Sequence, residues 1–370
     1  MFIRPFSGLS ITRMENAKRE VVKKKWTELK AVWEPLYDGN TRATPFQAYD
    51  FLSYTGKGKP QRKDLFRLFG LKEHNFVLYA DGEPIAVAPL LVKKKAGIKT
   101  AYLRGHFTTA NVLDLIYSEL SYDDFAFLMD EIRRALGKVR FFFDRVPDFS
   151  PVSEHLKRYF ATGDMETHEC FSIPVPRSYE EWSGGLKKSA RHNLRTCSNR
   201  IERDGAAVSF EILRGEPVKK ELCEKLMFVY ADRFIIKNKL RLGPFYKIVR
   251  RILTAYLKRD KMTRWLNASK DNFHAVLRLC GEEAAFASGL VCRSGKVILN
   301  RLAIYTKYAK YSPGGLLIGS IIRGVVEINE RQGAGITDID LCQEGGGGMS
   351  YKAAYGGLPY HNYTIISKSP

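Results

Sequence analysis

The chain has 370 residues, 45% of them hydrophobic, and a formal net charge of +20 from 60 Lys and Arg against 40 Asp and Glu. This length is too great for one ordinary core and predicts two packed domains. The charge indicates attraction to an anionic partner such as nucleic acid, a phosphorylated cofactor, an acidic glycan or a membrane surface, or else a basic surface used only for solubility.

Six cysteines lie in the chain without a CxxC pair or a zinc-type spacing with histidine. This pattern is typical of reduced thiols in a cytosolic protein, and we expect no metal site. The first twenty residues lack the apolar segment of a leader. The longest stretch without a charged residue, 353–367, contains glycines, a proline and a histidine, so it is not a membrane span. We therefore expect a cytoplasmic protein, at most peripheral to the inner membrane.

The first part of the chain predicts helix, hairpin, helix and strand. The apolar spacing of the first segment and the turn and cap residues of the others support this order. The segments are a helix over 21–37, a short helical segment over 44–52, two strands over 76–92, a capped helix over 121–138 and a strand over 139–146.

A break is expected at 147–152, which divides the chain into residues 1–150 and 151–370. The second part then repeats the pattern of the first, without obvious residue identity, after a basic helical insertion over about 184–260. Its segments are helices over 184–205 and near 219–236 and 244–258, a strand pair over 273–292, a strand over 294–305, a helix over 314–332 and a strand over 336–341. The predicted fold class is α/β (α+β), with two similar modules in tandem, each a mixed sheet flanked by helices.

The stretch KYSPGGLLIGSIIRG (310–324) opens a helix with two glycines and no acidic cap. Exposed N–H groups at such a helix start form an anion site, aided by the helix dipole. The alternative is a tight turn in which glycine is needed for close packing. Spacing does not choose between the two, and the stretch is neither a Walker loop nor GxGxxG.

Residues 300–356 resemble a known family. The segments NRLAIYTKYAKYSPGGLLIGSIIRGVVE and ITDIDLCQEGGGGMSYKAAYGG look like the C-terminal half of the GNAT-type acetyltransferases grouped with CelD/BcsL proteins and the BioF2-like acetyltransferase domain, which are close to Fem-type transferases. LKKSARHNLR and PFQAYDFL fit as well, so the resemblance spans roughly 20–367.

The resemblance implies tandem GNAT folds that use acyl-CoA. Its pyrophosphate would bind backbone N–H groups at the start of the Gly-Gly helix, and its pantetheine arm would pair with a splayed strand. The residues implied are Ser312, Gly314, Gly315, Leu316 and Leu317 for the pyrophosphate and Leu302, Ala303 and Ile304 for the pantetheine.

Acyl transfer from a thioester needs a base for the nucleophile and a proton donor for the leaving thiolate. Asp338 and Asp340 alternate with apolar residues on one strand and so share a face. The base candidates are Asp340 and Glu344, although strand-end carboxylates often only cap turns or pair with arginine.

Two tyrosines and a lysine follow the candidate bases. Tyr351 and Tyr355 are candidate proton donors, with core packing as the alternative for each. Lys352 is a candidate for holding a phosphate or an anionic substrate group, with a plain surface position as the alternative.

The basic helix supplies candidate substrate contacts at Arg191, His192 and Arg195. It could follow a tRNA backbone, hold an anionic saccharide or lipid intermediate, or be a solvated face of a packed helix. No RNA-recognition motif is present, which disfavours sequence readout.

Three functions remain open. The first is an acyl-CoA-dependent N- or O-acyltransferase, in particular an acetyltransferase, acting on a polysaccharide or cell-envelope precursor. The second is a Fem-like aminoacyl-tRNA-dependent transferase. The third is a silent GNAT-like binding protein, because the pyrophosphate signature is degenerate at Ala309, Ser312 and Gly314 and the loop over 345–348 is all glycine. The first module is expected to bind no ligand, since residues 104–120 contain no Gly-Gly helix start.

Overall fold

The computed structural model describes residues 18–55, 70–343 and 351–368, which form a mixed α/β fold with one large sheet and helices on both of its faces. The strands are β1 (Arg19–Lys24), β2 (Lys72–Ala80), β3 (Glu83–Lys95), β4 (Ile98–Leu103), β5 (Ile116–Tyr117), β6 (Arg140–Pro147), β7 (Asp164–Pro174), β8 (Val208–Arg214), β9 (Asn272–Leu279), β10 (Glu282–Val291), β11 (Lys296–Ile304), β12 (Asp338–Gln343) and β13 (Leu358–Ile366). The helices are α1 (Lys30–Gly39), α2 (Tyr49–Tyr54), α3 (Tyr122–Leu136), α4 (Pro151–Tyr159), α5 (Tyr179–Gly185), α6 (Lys188–Arg203), α7 (Lys220–Lys237), α8 (Tyr246–Lys258), α9 (Lys261–Ala268), α10 (Pro313–Gln332) and α11 (Tyr351–Ala354).

Local turn and cap chemistry explains several of these elements. Asp81 and Gly82 both have positive φ, as the tight turn between β2 and β3 requires. The hydroxyl of Ser121 accepts the N–H of Asp124 at 3.1 Å and caps α3, which ends at Gly137 with φ 67°. The predicted hairpin and capped helix are confirmed.

The prediction of one helix over 21–37 is wrong for its first residues. Val21 and Val22 lie in β1 and pair antiparallel with Leu78 and Val77 of β2. Their β-branched side chains suit a strand, and the helical spacing of the apolar residues begins to describe the chain only from α1 onward. Within α1, Trp33 is fully buried as expected.

The helix predicted over 184–205 is two helices, α5 and α6. Gly184 and Gly185 end the first helix, where glycine has low helix propensity. Leu186 follows in an extended conformation with ψ 151° and buries its side chain in the core. The chain therefore changes direction before the basic helix begins at Lys188.

The sheet has the strand order β1-β2-β3-β4-β6-β13-β7-β12-β11-β10-β9-β8, with β5 beside β3. The last strand, β13, lies between β6 and β7, and β7 in turn pairs with β12. The last strand of the second half thus pairs with β6 of the first half, and the sheet runs unbroken past residue 150. The division into 1–150 and 151–370 stays a prediction.

Two helices fix the surroundings of the second half of the sheet. Apolar residues of α10, including Leu317 and Ile321, pack with Val297 and Leu299 on one face. On the other face, Met227 of α7 joins Phe286 and Ala303 in a separate apolar cluster. This packing sets the start of α10 beyond the carboxyl end of β11.

Candidate active site at a fork between two parallel strands

The parallel strands β11 and β12 separate part of the way along their length. They pair over Lys296–Ile298 and Asp338–Asp340, while β11 continues beside β10 as far as Ile304. We call the gap that opens beyond Ile298 and Asp340 the fork. A gap between adjacent strands exposes backbone groups that a ligand can bind.

A bulge on each strand shapes the fork. The β10–β11 ladder shifts register between Ser288 and Gly289, which leaves Asn300 without a paired residue. Glycine is required at 289 because a Cβ there would lie 2.0 Å from the carbonyl oxygen of Ile298. On β12 the ladder with β7 shifts between Asp340 and Cys342, and Cys342 has φ 59°.

The part of β11 beyond the bulge presents backbone groups to the fork. The N–H of Tyr305 donates to the carbonyl oxygen of Ala284 on β10 at 2.8 Å. Because hydrogen-bonding direction alternates along an antiparallel ladder, the backbone groups of Leu302 and Ile304 point away from β10. Those of Ala303 point toward β10, and its side chain packs in the cluster below α7.

The free edge of β11 leads into the start of α10. Ser312 is the N-cap in a left-handed conformation, with φ 45° and ψ 56°, and its side chain makes no capping bond. Pro313 is the first helical residue, and the first turn holds no Asp or Glu. The positive end of the helix dipole and the N–H of Gly314 are thus available to an anion, while the N–H groups of Gly315 and Leu316 donate to the carbonyl oxygen of Ser312.

The two glycines at this helix start have different surroundings. A Cβ on Gly315 would lie 2.2 Å from the hydroxyl of Tyr355, so close packing requires glycine there. A Cβ on Gly314 would make only an ordinary contact, 3.5 Å from Ile304. Packing within the protein therefore explains Gly315 and leaves Gly314 without a packing reason.

The two candidate tyrosines differ in exposure. Tyr355 is buried, and its hydroxyl oxygen accepts a hydrogen bond from the amide of Asn193 at 2.9 Å, which leaves its own proton to donate. Burial raises the pKa of Tyr355. Tyr351, the first residue of α11, is 44% exposed. Glu344 lies outside the described residues.

Asp340 is fully buried at the base of the fork, and each carboxylate oxygen has a partner. One accepts the N–H of Cys342 at 2.7 Å across the β12 bulge, and the other accepts the hydroxyl of Tyr360 at 2.7 Å. Burial raises the pKa of Asp340. The carboxylate thus holds the bulge in place, and Tyr360 is a partner that the sequence analysis missed.

Lys352 is buried instead of lying at the surface. Its ammonium group donates to the carbonyl oxygens of Leu341, Cys342 and Gln343 at 2.7, 2.9 and 2.6 Å. These three carbonyls mark the end of β12, so the side chain fastens α11 to that strand.

Residues of the first half of the chain close the base of the fork. The amide of Asn111 donates to the sulfur of Cys342 at 2.8 Å, and that of Asn300 donates to the carbonyl oxygen of Thr109 at 2.5 Å. Burial raises the pKa of Cys342, which keeps this thiol protonated. Sequence reasoning missed Asn111 because no local pattern indicates a contact over so long a separation.

Helix α6 lies beside the start of α10. Asn193 is its contact with Tyr355, while Arg191, His192 and Arg195 are exposed to solvent. The guanidinium of Arg191 donates to the carbonyl oxygen of Gly184 at 2.9 Å. Among the described residues, no hydrogen bond or ion pair joins these three side chains to the fork or to the start of α10.

The lysines before α10 are engaged in ion pairs. The ammonium of Lys307 lies 2.7 Å from Glu282, and that of Lys310 lies 2.8 Å from Asp204. The hydrogen bond from Lys310 is the main cause of the lowered pKa of Asp204. Positive potential for an anion at the helix start thus comes mainly from the dipole of α10 itself.

The corresponding place in the first half has a different structure. There β4 and β6 pair in parallel over Thr100–Tyr102 and Arg140–Phe142, and the loop after β4 is held by Arg145. That guanidinium donates to the carbonyl oxygens of His106 at 2.6 Å and Thr108 at 3.1 Å, and also to that of Ala110. The following helix, α3, begins with a satisfied cap and two aspartates, which repel an anion.

The described residues contain neither a cluster suited to a metal ion nor a helix suited to a membrane span. Within residues 18–55, 70–343 and 351–368, no group of three or more His, Cys, Asp or Glu side chains could hold a metal ion. In the same part of the chain, no helix has both the length and the apolar composition needed to cross a membrane.

Comparison with known proteins relates this geometry to a family. Residues 188–353 match the family model of the acetyltransferase (GNAT) domain, a region that contains the fork and the start of α10. No curated protein matches the chain in sequence.

Several solved structures are similar to this chain at low sequence identity. A tandem GNAT protein from the clavulanic acid biosynthesis pathway is 11% identical, with 95% of this chain and 99% of that chain covered and a TM-score of 0.50. FemX is 13% identical over 94% and 97%, with a TM-score of 0.46. The C-terminal domain of a putative lysylphosphatidylglycerol synthetase from Agrobacterium fabrum is 17% identical over 77% and 81%, with a TM-score of 0.46. The family match supports an acyltransferase, and the tandem GNAT structure shares the fold of this chain.

Proposed function

We propose that the chain is an acyl-CoA-dependent acyltransferase that moves an acetyl or other acyl group to an amine or hydroxyl at the fork. The observation that carries this proposal is the continuous path from the free backbone edge of Leu302 and Ile304 to the acid-free start of α10. An amide-containing arm can pair with such an edge, as a strand does. A pyrophosphate suits the N–H groups at the helix start.

Packing within the protein does not require glycine at position 314, and this supports a pyrophosphate site at the start of α10. A side chain there would meet little protein, yet it would project from the first turn where a phosphate has to approach the backbone. The N–H groups of Gly315 and Leu316 belong to the same turn, although both already donate hydrogen bonds to the carbonyl oxygen of Ser312, at 3.1 and 3.5 Å. At position 314, therefore, packing within the protein does not require glycine, whereas the approach of a phosphate would require it.

The transfer itself balances as a substitution at the thioester carbonyl. The acceptor nitrogen or oxygen bonds to the carbonyl carbon, the carbon–sulfur bond breaks, a base takes the acceptor proton and the thiolate receives a proton. Tyr355 and Tyr351 are the donors we propose for the thiolate, and Glu344 or Asp340 the base. The complete burial of Asp340 and its two occupied oxygens favour a positioning role for that residue.

The acceptor class rests on the sequence resemblance to the CelD/BcsL grouping, which suggests a polysaccharide or cell-envelope precursor in the cytoplasm. The exposed cations of α6, namely Arg191 and Arg195 with His192 between them, would hold an anionic acceptor near the helix start. The same exposed cations keep a Fem-like reaction with aminoacyl-tRNA as the second candidate, since they suit a polyanion as well.

Calorimetric titration with acetyl-CoA, desulfo-CoA and bulk tRNA at two salt concentrations tests the proposal. We expect saturable binding of both CoA compounds, lost in Gly314→Asp because a carboxylate repels the pyrophosphate. Gly39→Asp is the matched control, since a Cβ at Gly39 meets no atom within 4 Å and the residue lies far from the fork in the sequence. Tight, salt-sensitive tRNA binding without CoA binding would favour the Fem-like reaction. CoA binding without turnover on any acceptor would favour a silent binding protein.

A further inference from the structure

Helices α7 and α8, with the turn between them, form a helical pair that we call the basic hairpin, residues 220–258. Of the thirteen large apolar side chains that are exposed in the described part of the chain, seven belong to this hairpin. Their exposed fractions lie between 44% and 64%. They are Phe234, Ile236, Leu240, Phe245, Ile248, Ile252 and Tyr256.

The apolar residues of α8 lie on one face. Ile248, Ile252 and Tyr256 are spaced by four residues, so they form a stripe along the helix, and Phe245 extends it by one turn. Thr254 is buried on the side that packs against the protein. The stripe is therefore displaced from the packing face and turned toward solvent.

Strong positive charge accompanies the stripe. Residues 233–259 contain nine Lys and Arg and no Asp or Glu. The exposed ones are Lys237, Lys239, Arg241, Lys247, Arg251 and Arg259. An unbroken cationic segment of this kind repels a second copy of itself and attracts an anionic partner.

The hairpin is held firmly, so the stripe is not exposed by fraying of a helix end. The buried carboxylate of Asp232 on α7 accepts hydrogen bonds from Tyr246 and, at 3.2 Å, from Arg250 on α8. It also accepts the N–H of Thr306 at 3.1 Å, just beyond β11. The guanidinium of Arg250 stacks over Phe228 at 4.0 Å. These contacts fix α8 to α7 and to the sheet.

We propose that the basic hairpin docks on an anionic lipid bilayer, with the α8 stripe at the level of the lipid headgroups. A helix with apolar residues on one face and Lys and Arg beside them lies in the membrane interface, where apolar burial and attraction to anionic lipid act together. A nucleic acid would use the cations but would gain little from Ile248 and Ile252. The occupant that satisfies both features is the bilayer, and this inference does not depend on the reaction at the fork.

Co-sedimentation with phosphatidylcholine vesicles, with and without phosphatidylglycerol, tests the proposal with the full chain. We expect binding to the anionic vesicles that weakens as salt rises. Ile248→Ser with Ile252→Ser should reduce the partition coefficient about tenfold or more, because the inserted apolar area is lost. Lys247→Gln with Arg251→Gln should reduce it by a similar factor on anionic vesicles.

Matched controls separate this surface from general effects. Ile98→Ser with Met165→Ser removes exposed apolar side chains elsewhere, and Lys94→Gln with Lys95→Gln removes exposed charge elsewhere. Both controls should bind vesicles as the unaltered chain does, and circular dichroism should show every variant folded. The proposal is overturned if the unaltered chain binds no vesicles, or if the controls lose binding as much as the hairpin variants do. It is also overturned if the Ile248→Ser, Ile252→Ser variant binds vesicles normally while the Lys247→Gln, Arg251→Gln variant loses binding to tRNA.

Discussion

A methyl group on Gly315 would lie 2.2 Å from the hydroxyl oxygen of Tyr355, a distance that no unstrained packing allows. Gly315→Ala should therefore lower the free energy of unfolding by about 1–3 kcal/mol, as overpacking does. Tyr355→Phe removes the obstructing oxygen, so Gly315→Ala should cost less in that background. Urea unfolding of the two single variants and the double variant measures the coupling, and additive effects would contradict the packing assignment.

Gly314→Ala is the informative comparison at the next position. Its Cβ has room beside Ile304, and alanine favours the helix, so stability should be unchanged or higher by up to about 1 kcal/mol. CoA affinity should nevertheless fall, because the new methyl group stands where a phosphate approaches. Unchanged CoA affinity in a folded Gly314→Ala protein would remove the argument for a ligand at this turn.

Substitutions at Asp340 test whether its carboxylate only holds the β12 bulge in place or also acts as the catalytic base. Asn at this position can still accept the N–H of Cys342 and contact the hydroxyl of Tyr360, so Asp340→Asn should keep stability and most of kcat. Asp340→Ala should unfold more easily by about 1–3 kcal/mol, since a buried N–H loses its acceptor. A fall in kcat of about 100-fold or more in a stable Asp340→Asn protein would instead make this carboxylate the base.

Lys352 holds three buried carbonyl oxygens, so its loss should be costly. Lys352→Met keeps the length of the side chain but leaves those carbonyls unsatisfied, and we expect a loss of about 3 kcal/mol or more in unfolding free energy. Lys307→Met is the control, because it breaks only a solvent-exposed ion pair with Glu282, which contributes little to stability. Similar small losses in both variants would show that the three carbonyls find other donors.

Much of the architecture could be predicted because its signals are local. The Asp81–Gly82 turn, the cap at Ser121 and the start of α10 at Pro313 each depend on a few adjacent residues. The resemblance added the tandem arrangement, which the low-identity structural relative shares.

The rest depends on contacts between distant parts of the chain. Nothing in the sequence of β13 indicates that it enters the sheet between β6 and β7. The same limitation hid the contact of Asn111 with Cys342 and that of Asp340 with Tyr360. The bulge at Asn300 was also missed, because it is set by the close approach of Gly289 to the neighbouring strand and not by β11 alone.

His274 should make stability depend on pH in the acid range. It is fully buried between β9, β10 and α9, where its Nε2 donates to the carbonyl oxygen of Leu266 at 2.9 Å and its Nδ1 accepts from the hydroxyl of Ser288 at 2.8 Å. A neutral ring satisfies both partners, and burial, the main cause, lowers the pKa of His274 to about 4.

The unfolded chain, with an ordinary histidine pKa near 6.5, binds the proton more readily than the folded chain does. The contribution of His274 to stability is therefore complete above about pH 6.5 and is lost progressively as the pH falls toward 4. The full effect is of the order of 3 kcal/mol. Urea unfolding of the unaltered chain and of His274→Gln between these pH values measures it. The difference between the two proteins should shrink as the pH falls, and a constant difference would show that the folded ring takes up its proton without cost.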